Sequence, residues 1–205
     1  MLDIPPMRLS DMVAERIASA IVAGSIPAGA RVRDQDLADQ LGVSRMPVRE
    51  ALQRLQRVGL IETAASRYTR VTKVTPELAD ATREFAGHYS ISAVRMAIAR
   101  MSDVERLNAS DTIAAIAARL EGDHDIVAAR RELHALLVKL AGNTFMSSLS
   151  SDIGIAIERN LAATTLPLDD AEMVASFRAL GDAVLNADAD EAERIMRRQY
   201  GIEDH

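Results

Sequence analysis

The chain of 205 residues contains no cysteine. A disulfide framework and a thiolate metal site are therefore both excluded, and a reducing compartment suits the protein. The first residues lack the apolar stretch of a signal peptide, and no later run reaches the roughly 18 apolar residues that a membrane span needs. We therefore expect a cytoplasmic protein that neither leaves the cell nor crosses a membrane.

Residue patterns that support catalysis are also missing. The four histidines form no arrangement of nucleophile and base, and the sequence has no glycine-rich phosphate loop. A cysteine nucleophile is not available either. We therefore predict that the protein is not an enzyme and that it uses no cofactor.

The sequence does contain an uneven distribution of charge. The net charge of the chain is -6. Residues 1–75 contain 11 Lys and Arg against 8 Asp and Glu, a net charge of +3, whereas the remainder contains 13 against 22, a net charge of -9. Such an asymmetry indicates two modules with different partners. We place them at residues 1–75 and 76–205.

The N-terminal module has the pattern of three helices and a hairpin. Apolar residues at helical spacing predict a helix over about 9–23, and Asp34 and Ser44 are placed to cap a second and a third helix. The runs LIET and YTRVTKV have the composition of two β-strands. Two helices joined by a tight turn and followed by a hairpin predict a winged helix-turn-helix.

The third predicted helix carries Arg and Gln on the face that does not point to the core. Arg can fork onto a guanine edge or a phosphate, and Gln pairs with adenine. A basic stripe on one helix is more often a solvated surface, but the helix-turn-helix context and the basic hairpin favour DNA. We therefore predict that this helix enters the major groove. The residues of the face are Arg45, Arg49, Gln53, Gln56 and Arg57.

The remainder of the chain is predicted to be helical. Ser102 and Glu105 have the spacing of a capping box, and Gly122 and Gly142 are expected to end helices. Amphipathic helices of this length with short loops form an antiparallel bundle. The fold class is therefore mainly α, with helices over 76–101 (weakened at Gly87), 103–120, 125–141, 144–164, 170–186 and 189–200.

Three stretches carry a family resemblance. GARVRDQDLADQLGVSRMPVREALQRLQRVGLIE closely resembles the DNA-binding domain of the GntR family of bacterial transcription regulators, over roughly residues 8–75. LHALLVKLAGN and NADADEAERIMRRQY resemble the FadR C-terminal domain, called FCD, in its shorter six-helix form. The resemblance implies a FadR-like repressor that binds a palindromic DNA operator as a homodimer and responds to a small organic acid. The alternative is a helical domain that only dimerises and binds no effector.

The resemblance also implies which residues contact DNA. A glycine that usually follows the arginine of the wing tip in the family is replaced here by Tyr68, which leaves contact of the wing with the minor groove open. The matching positions are Ser44, Arg45 and Arg49 in the recognition helix, Gln35 in the preceding helix and Arg67 at the wing tip.

Many FCD domains bind a divalent metal through an Asp and a His on one helix and two His on the last two helices. The corresponding positions in this sequence are Arg130, His134, one near Phe177 and one near Gln199. A borderline metal needs several imidazole or carboxylate ligands, and a guanidinium repels a cation. We therefore predict no metal.

Arg130 and His134 lie one helical turn apart at the edge of an apolar stripe, so both are predicted to point into the bundle. An arginine there could supply positive charge to a small carboxylate. His134 could equally be a semi-buried histidine without a ligand. Arg95, at a position that is commonly arginine in the family, is a further candidate for effector binding and could equally pair with an acid.

Overall fold

The computed structural model describes residues 8–64, 67–164 and 167–202, except for the side chain of residue 152. The chain divides into two compact units. One comprises the residues up to Thr75 together with 152–159, and the other comprises 76–151 together with the residues from 160 onward.

The first unit contains three helices and a hairpin. The helices are α1 (Leu9–Val22), α2 (Asp34–Leu41) and α3 (Arg45–Arg57). Strands β1 (Ile61–Ala64) and β2 (Tyr68–Val71) pair antiparallel, with Ile61 opposite Val71 and Ala64 opposite Tyr68. Gly42 ends α2 at a φ of 67°, a left-handed conformation that glycine adopts without strain and that allows the tight turn into α3. The predicted winged helix-turn-helix is confirmed.

One apolar core supports this unit. Its residues repeat at helical spacing on α1 and α3, which is why these two helices pack against each other and leave the opposite face of α3 exposed. The hairpin adds its inward-facing side chains. The largest buried members include Val13, Ile17, Leu37, Val48, Leu52, Leu55, Leu60, Ile61 and Val71.

Two capping predictions in this unit are wrong. The N-cap of α2 is Arg33, and Asp34 is the first residue of the helix. Ser44 occupies the N-cap position of α3, but its side chain makes no capping hydrogen bond. Both helices begin close to the expected residue, but neither polar side chain caps its helix by a hydrogen bond to a backbone N–H group.

The second unit is an all-helical antiparallel bundle, as predicted. Helix α5 packs on α8, and α4 packs on both α6 and α9. Ile113, Leu120, Leu137, Phe177 and Leu180 are among its fully buried side chains. Its elements are α4 (Pro76–Arg100), α5 (Asp103–Asp123), α6 (Ile126–Ala141), α7 (Thr144–Leu161), α8 (Asp170–Leu185) and α9 (Ala189–Tyr200), and α7 contributes residues to both units.

Helix ends follow the local sequence closely in this unit. The capping box of Ser102 and Glu105 is present, and Gly142 ends α6 in a left-handed conformation. The predicted break at Gly122 is wrong, because α5 continues to Asp123 and His124 takes the left-handed position at a φ of 56°. No helix in residues 8–64, 67–164 and 167–202 is long and apolar enough to span a bilayer.

Gly87 lies within an uninterrupted α4. A Cβ at this position would lie 2.8 Å from the Cβ of Tyr200 and would clash with the side chain of Ile202. Because glycine has no side chain, the end of α9 approaches α4 closely. The close approach places the ring of Tyr200 in the interior of the bundle, where it is buried.

Candidate functional sites

The exposed face of α3 carries two arginines that share one acid. Arg45 and Arg49 lie one helical turn apart, and their side chains are 50% and 57% exposed. Nη2 of Arg45 donates to both carboxylate oxygens of Asp34, at 2.9 and 3.1 Å. Nε of Arg49 donates to Oδ2 of the same carboxylate at 2.6 Å. The three side chains therefore form one cluster, which we call the Asp34 clamp.

The clamp keeps Asp34 ionised. Hydrogen bonds from Arg45, and next from Arg49, hold the pKa of the Asp34 carboxyl below its usual value. Two guanidinium groups and one carboxylate leave the cluster with a net positive charge. The cluster lies at the N-terminal end of α3, where the helix dipole adds further positive potential.

The other predicted DNA-contact residues surround the same face. Gln35, Arg49 and Arg67 line a common groove between α3 and the hairpin, together with Gln53 and Gln56. The amide nitrogen of Gln35 donates to Asp39 at 2.8 Å. Ser44 stands at the start of α3, with its hydroxyl not used for capping. The structure therefore brings the predicted residues of α2, α3 and the wing onto one surface.

Tyr68 has a role in the wing that the sequence did not suggest. The guanidinium carbon of Arg70 lies 4.3 Å from the centre of the Tyr68 ring, and Nε of Arg70 also pairs with Glu62 across the hairpin. A cation over an aromatic face is attracted to it. Tyr68 and Glu62 thus both hold the guanidinium of Arg70 within the hairpin. Residues 65 and 66 of the wing lie outside the described residues.

The interior of the bundle contains a buried arginine, Arg130. The residue is only 5% exposed, and its guanidinium carbon lies 4.0 Å from the centre of the Tyr200 ring. None of its nitrogens Nε, Nη1 and Nη2 has a hydrogen-bond partner among the described residues. Buried charged groups are normally paired and hydrogen-bonded. Arg130 therefore has its hydrogen-bonding capacity unused in a desolvated position.

His134 lies beside it in a polar chain across the bundle. Its Nδ1 is 3.0 Å from Oγ of Ser90, and its Nε2 is 3.2 Å from Oγ of Ser150. The hydroxyl of Tyr200 is 3.3 Å from Oγ of Ser90, which connects the chain to the ring under Arg130. Burial lowers the pKa of His134 to about 4, so the imidazole is neutral near pH 7.

The structure places Arg95 in a different environment. Its Nη1 lies 2.9 Å from an oxygen of Asp190 and 2.9 Å from an oxygen of Glu193, both on α9. The side chain is 44% exposed. Two acids therefore pair with this guanidinium. Of the two alternatives for Arg95, effector binding and pairing with an acid, its contacts match the second.

The residues at the positions of the family metal site do not fit a metal. Phe177 is fully buried and offers no ligand atom. Gln199 uses its amide nitrogen to donate to Ser176 at 2.8 Å, and both nitrogens of His134 face serines. No group of three or more His, Cys, Asp or Glu in the part of the chain that the structure describes could hold a metal ion.

Comparison with known proteins covers both units. Residues 9–71 match the model of bacterial regulatory proteins, gntR family, and residues 91–201 match the FCD domain. The chain is 29% identical over 205 residues to the probable D-xylose utilization operon transcriptional repressor of Paenarthrobacter nicotinovorans, covering 92% of this chain and 84% of that protein.

Solved structures show the same fold. E. coli McbR/YncC superposes with a TM-score of 0.74 at 19% identity, covering 96% of this chain and 95% of that chain. A putative GntR transcriptional regulator from Rhodococcus sp. RHA1 has a TM-score of 0.69 at 20% identity, covering 94% and 93%.

Proposed function

We propose that this chain, which belongs to the GntR family of bacterial regulatory proteins and carries an FCD domain, represses transcription by binding a palindromic operator as a homodimer. The observation that carries the proposal is the cationic face of α3, with Arg45 and Arg49 exposed above a buried core. Arginines spaced by one helical turn on such a face suit the edges of bases in the major groove. The name of the Paenarthrobacter relative supports repression.

A homodimer follows from what one helix can read. A single recognition helix contacts only a few base pairs, whereas two copies related by a twofold axis read two half-sites about one helical turn apart, roughly 10 base pairs. The two half-sites must then form an inverted repeat.

Selection of duplexes from a random library by the full chain tests this part. We expect enrichment of an inverted repeat with half-sites one turn apart, bound by two chains per duplex in a stoichiometric titration. The proposal is contradicted if no sequence is enriched, or if one chain binds an asymmetric site.

The effector in this proposal is a small organic acid held by Arg130 and His134. A carboxylate can accept two parallel hydrogen bonds from a guanidinium, and this geometry is the one that Arg offers and a metal ion does not. The unpartnered nitrogens of Arg130 supply the donors. The neutral His134 lies beside these donors without adding a second charge, and it can bond to the acid by exchanging its contact with Ser90 or Ser150. Arg95 is not part of the proposed site, because Asp190 and Glu193 already pair with it.

Thermal stabilisation of chelator-treated protein tests the effector site. A panel of small carboxylates is compared with the corresponding amides, which have the same shape without the charge. We expect saturable stabilisation by at least one acid and not by its amide, lost in Arg130→Met and retained in the matched variant Arg95→Met. The same acid should change the affinity for the selected duplex.

Two outcomes contradict the effector site. One is an acid response that Arg130→Met leaves unchanged, and the other is stoichiometric zinc, nickel or manganese in the purified protein. If no acid stabilises the wild type, the FCD domain serves only to dimerise the DNA-binding units.

A further inference from the structure

Asp34 is an acid that lies between two arginines on the face proposed to bind DNA. A carboxylate at this place repels phosphates, so it lowers the affinity for any DNA irrespective of sequence. The side chain is 23% exposed and does not cap α2, whose N-cap is Arg33. Its observed contacts are with Arg45 and Arg49. Any role of Asp34 in DNA binding therefore acts through these two arginines.

The clamp selects which N–H groups of each arginine remain available. Arg49 gives its Nε to Asp34, so the contacts with Asp34 leave the two terminal nitrogens, Nη1 and Nη2, which point away from the main chain. Arg45 gives Nη2 to both carboxylate oxygens, and the remaining Nε and Nη1 lie on different edges of the guanidinium, so they are single donors and do not form a pair. A pair of N–H groups on one edge of a guanidinium matches O6 and N7 of guanine. The clamp thus holds Arg49 with its paired Nη1 and Nη2 edge unengaged by Asp34, and it fixes Arg45 with single donors.

We propose that Asp34 is the positioning residue that gives this protein its sequence specificity, because it holds Arg49 so that the paired Nη1 and Nη2 edge is presented to a guanine, and it fixes Arg45 beside it. This inference rests on the proposed DNA binding. Without Asp34, two long side chains can reach phosphates on either side of the groove, where contacts carry no sequence information. Asp34 therefore lowers the affinity for DNA of any sequence and increases the discrimination between sequences.

Asp36 provides a matched control. It lies in the same first turn of α2, carries the same charge, and is exposed. Asp36→Asn removes one negative charge from this region without removing either arginine contact. A difference between Asp34→Asn and Asp36→Asn therefore reports the clamp, whereas an equal effect reports charge alone.

Asp34→Asn should raise the affinity for a scrambled duplex and lower the preference for the selected duplex. For a scrambled duplex, Asp34→Asn should increase the affinity by roughly 2- to 10-fold at 0.1 M salt, since up to one further phosphate contact per chain becomes possible. For the selected duplex, the preference over the scrambled one should fall by about 10-fold or more, because one well-oriented bidentate contact discriminates by roughly 5- to 150-fold. Asp36→Asn should leave this preference unchanged.

The experiment measures both affinities by fluorescence anisotropy for the wild type, Asp34→Asn, Asp34→Ala and Asp36→Asn, after melting curves have shown that all are folded. A third duplex carries 7-deazaguanine in the half-sites, which removes the N7 acceptor. We expect this duplex to weaken binding by the wild type and to weaken binding by the Asp34 variants much less. The inference is overturned if the Asp34 and Asp36 variants keep the same preference, or if the deazaguanine effect is equal in all proteins. Failure of the wild type to bind any selected duplex would instead contradict the proposed function.

Discussion

The two units treat their arginines in opposite ways. On the exposed face of α3, Arg45 and Arg49 are both paired with an acid, although water would solvate them there. In the bundle, Arg130 is buried without any hydrogen-bond partner among the described residues. An exposed ion pair contributes little to stability, and a buried lone charge lowers it. Stability therefore explains neither arrangement, and we expect each arginine to be placed for the ligand that it binds.

Salt should separate the two kinds of site most strongly. The affinity for DNA depends on the release of counterions, so a dimer with 6 to 10 phosphate contacts loses about 10³- to 10⁵-fold in affinity between 50 and 200 mM salt. An anion bound at Arg130 would be desolvated and therefore screened much less. We expect binding curves at several salt concentrations to show a steep decline for the operator and a shallow one for the acid. Similar slopes would show that the two sites are not different in this respect.

The pH dependence of stability should show how well the site at His134 is shielded from water. The pKa of His134 is about 4 in the folded protein against an ordinary value of 6.5, because burial disfavours the charged ring. The unfolded chain therefore binds the proton more readily between pH 6.5 and 4, and the stabilisation present above pH 6.5 is lost on acidification. The shift corresponds to a loss on the order of 3 kcal/mol.

Denaturant titrations at several pH values measure this effect. The gap in free energy of unfolding between the wild type and His134→Gln should narrow as the pH falls through this window. His88→Gln, on an exposed position of α4, is the matched control. Equal pH dependence of the two variants would mean that His134 is solvated.

Removal of an arginine from the exposed face should affect DNA binding without affecting folding. Arg45→Ala and Arg49→Ala should each weaken operator binding by about 1 to 3 kcal/mol, because each loses contacts to bases or phosphates. Both side chains are at least half exposed, so the melting temperature should hardly change. Anisotropy titrations and melting curves together check this. Operator binding by the double variant at wild-type affinity would contradict the assignment of α3.

Removal of the buried arginine, in contrast, should change the stability of the protein. Arg130→Met deletes three unpartnered nitrogens from the interior and loses the contact with the Tyr200 ring. The first change stabilises and the second destabilises, so we expect a net gain in the free energy of unfolding on the order of 1 kcal/mol without ligand. Denaturant titration of both proteins measures it. A loss of several kcal/mol would show that Arg130 is a structural residue.

Much of the fold could be predicted because it depends on local patterns. The apolar spacing of α1 and α3, the capping box at Ser102 and the glycine at position 142 act within a few residues of themselves. The same spacing indicated that Arg130 points inward, and the residue is buried.

The partners of the site residues could not be predicted in this way. Asp34 has the sequence context of a helix cap, but arginines 11 and 15 residues away compete successfully for its carboxylate. The contact of Arg130 with Tyr200 joins residues from different helices. Serines carry no pattern that distinguishes Ser90 and Ser150, the partners of His134, from others. Such pairings are decided by packing between distant segments.

The positions of the three tyrosines make the protein a fluorescent reporter of itself. Tyr68 lies under Arg70 in the wing, Tyr89 lies 5.2 Å from the ring of His134, and Tyr200 lies under Arg130. The chain contains no tryptophan, so no indole absorbs the excitation of these rings or masks their emission. Each candidate site therefore has its own native chromophore, and exchange of single tyrosines for phenylalanine assigns a change in emission to the wing or to the bundle without any attached dye.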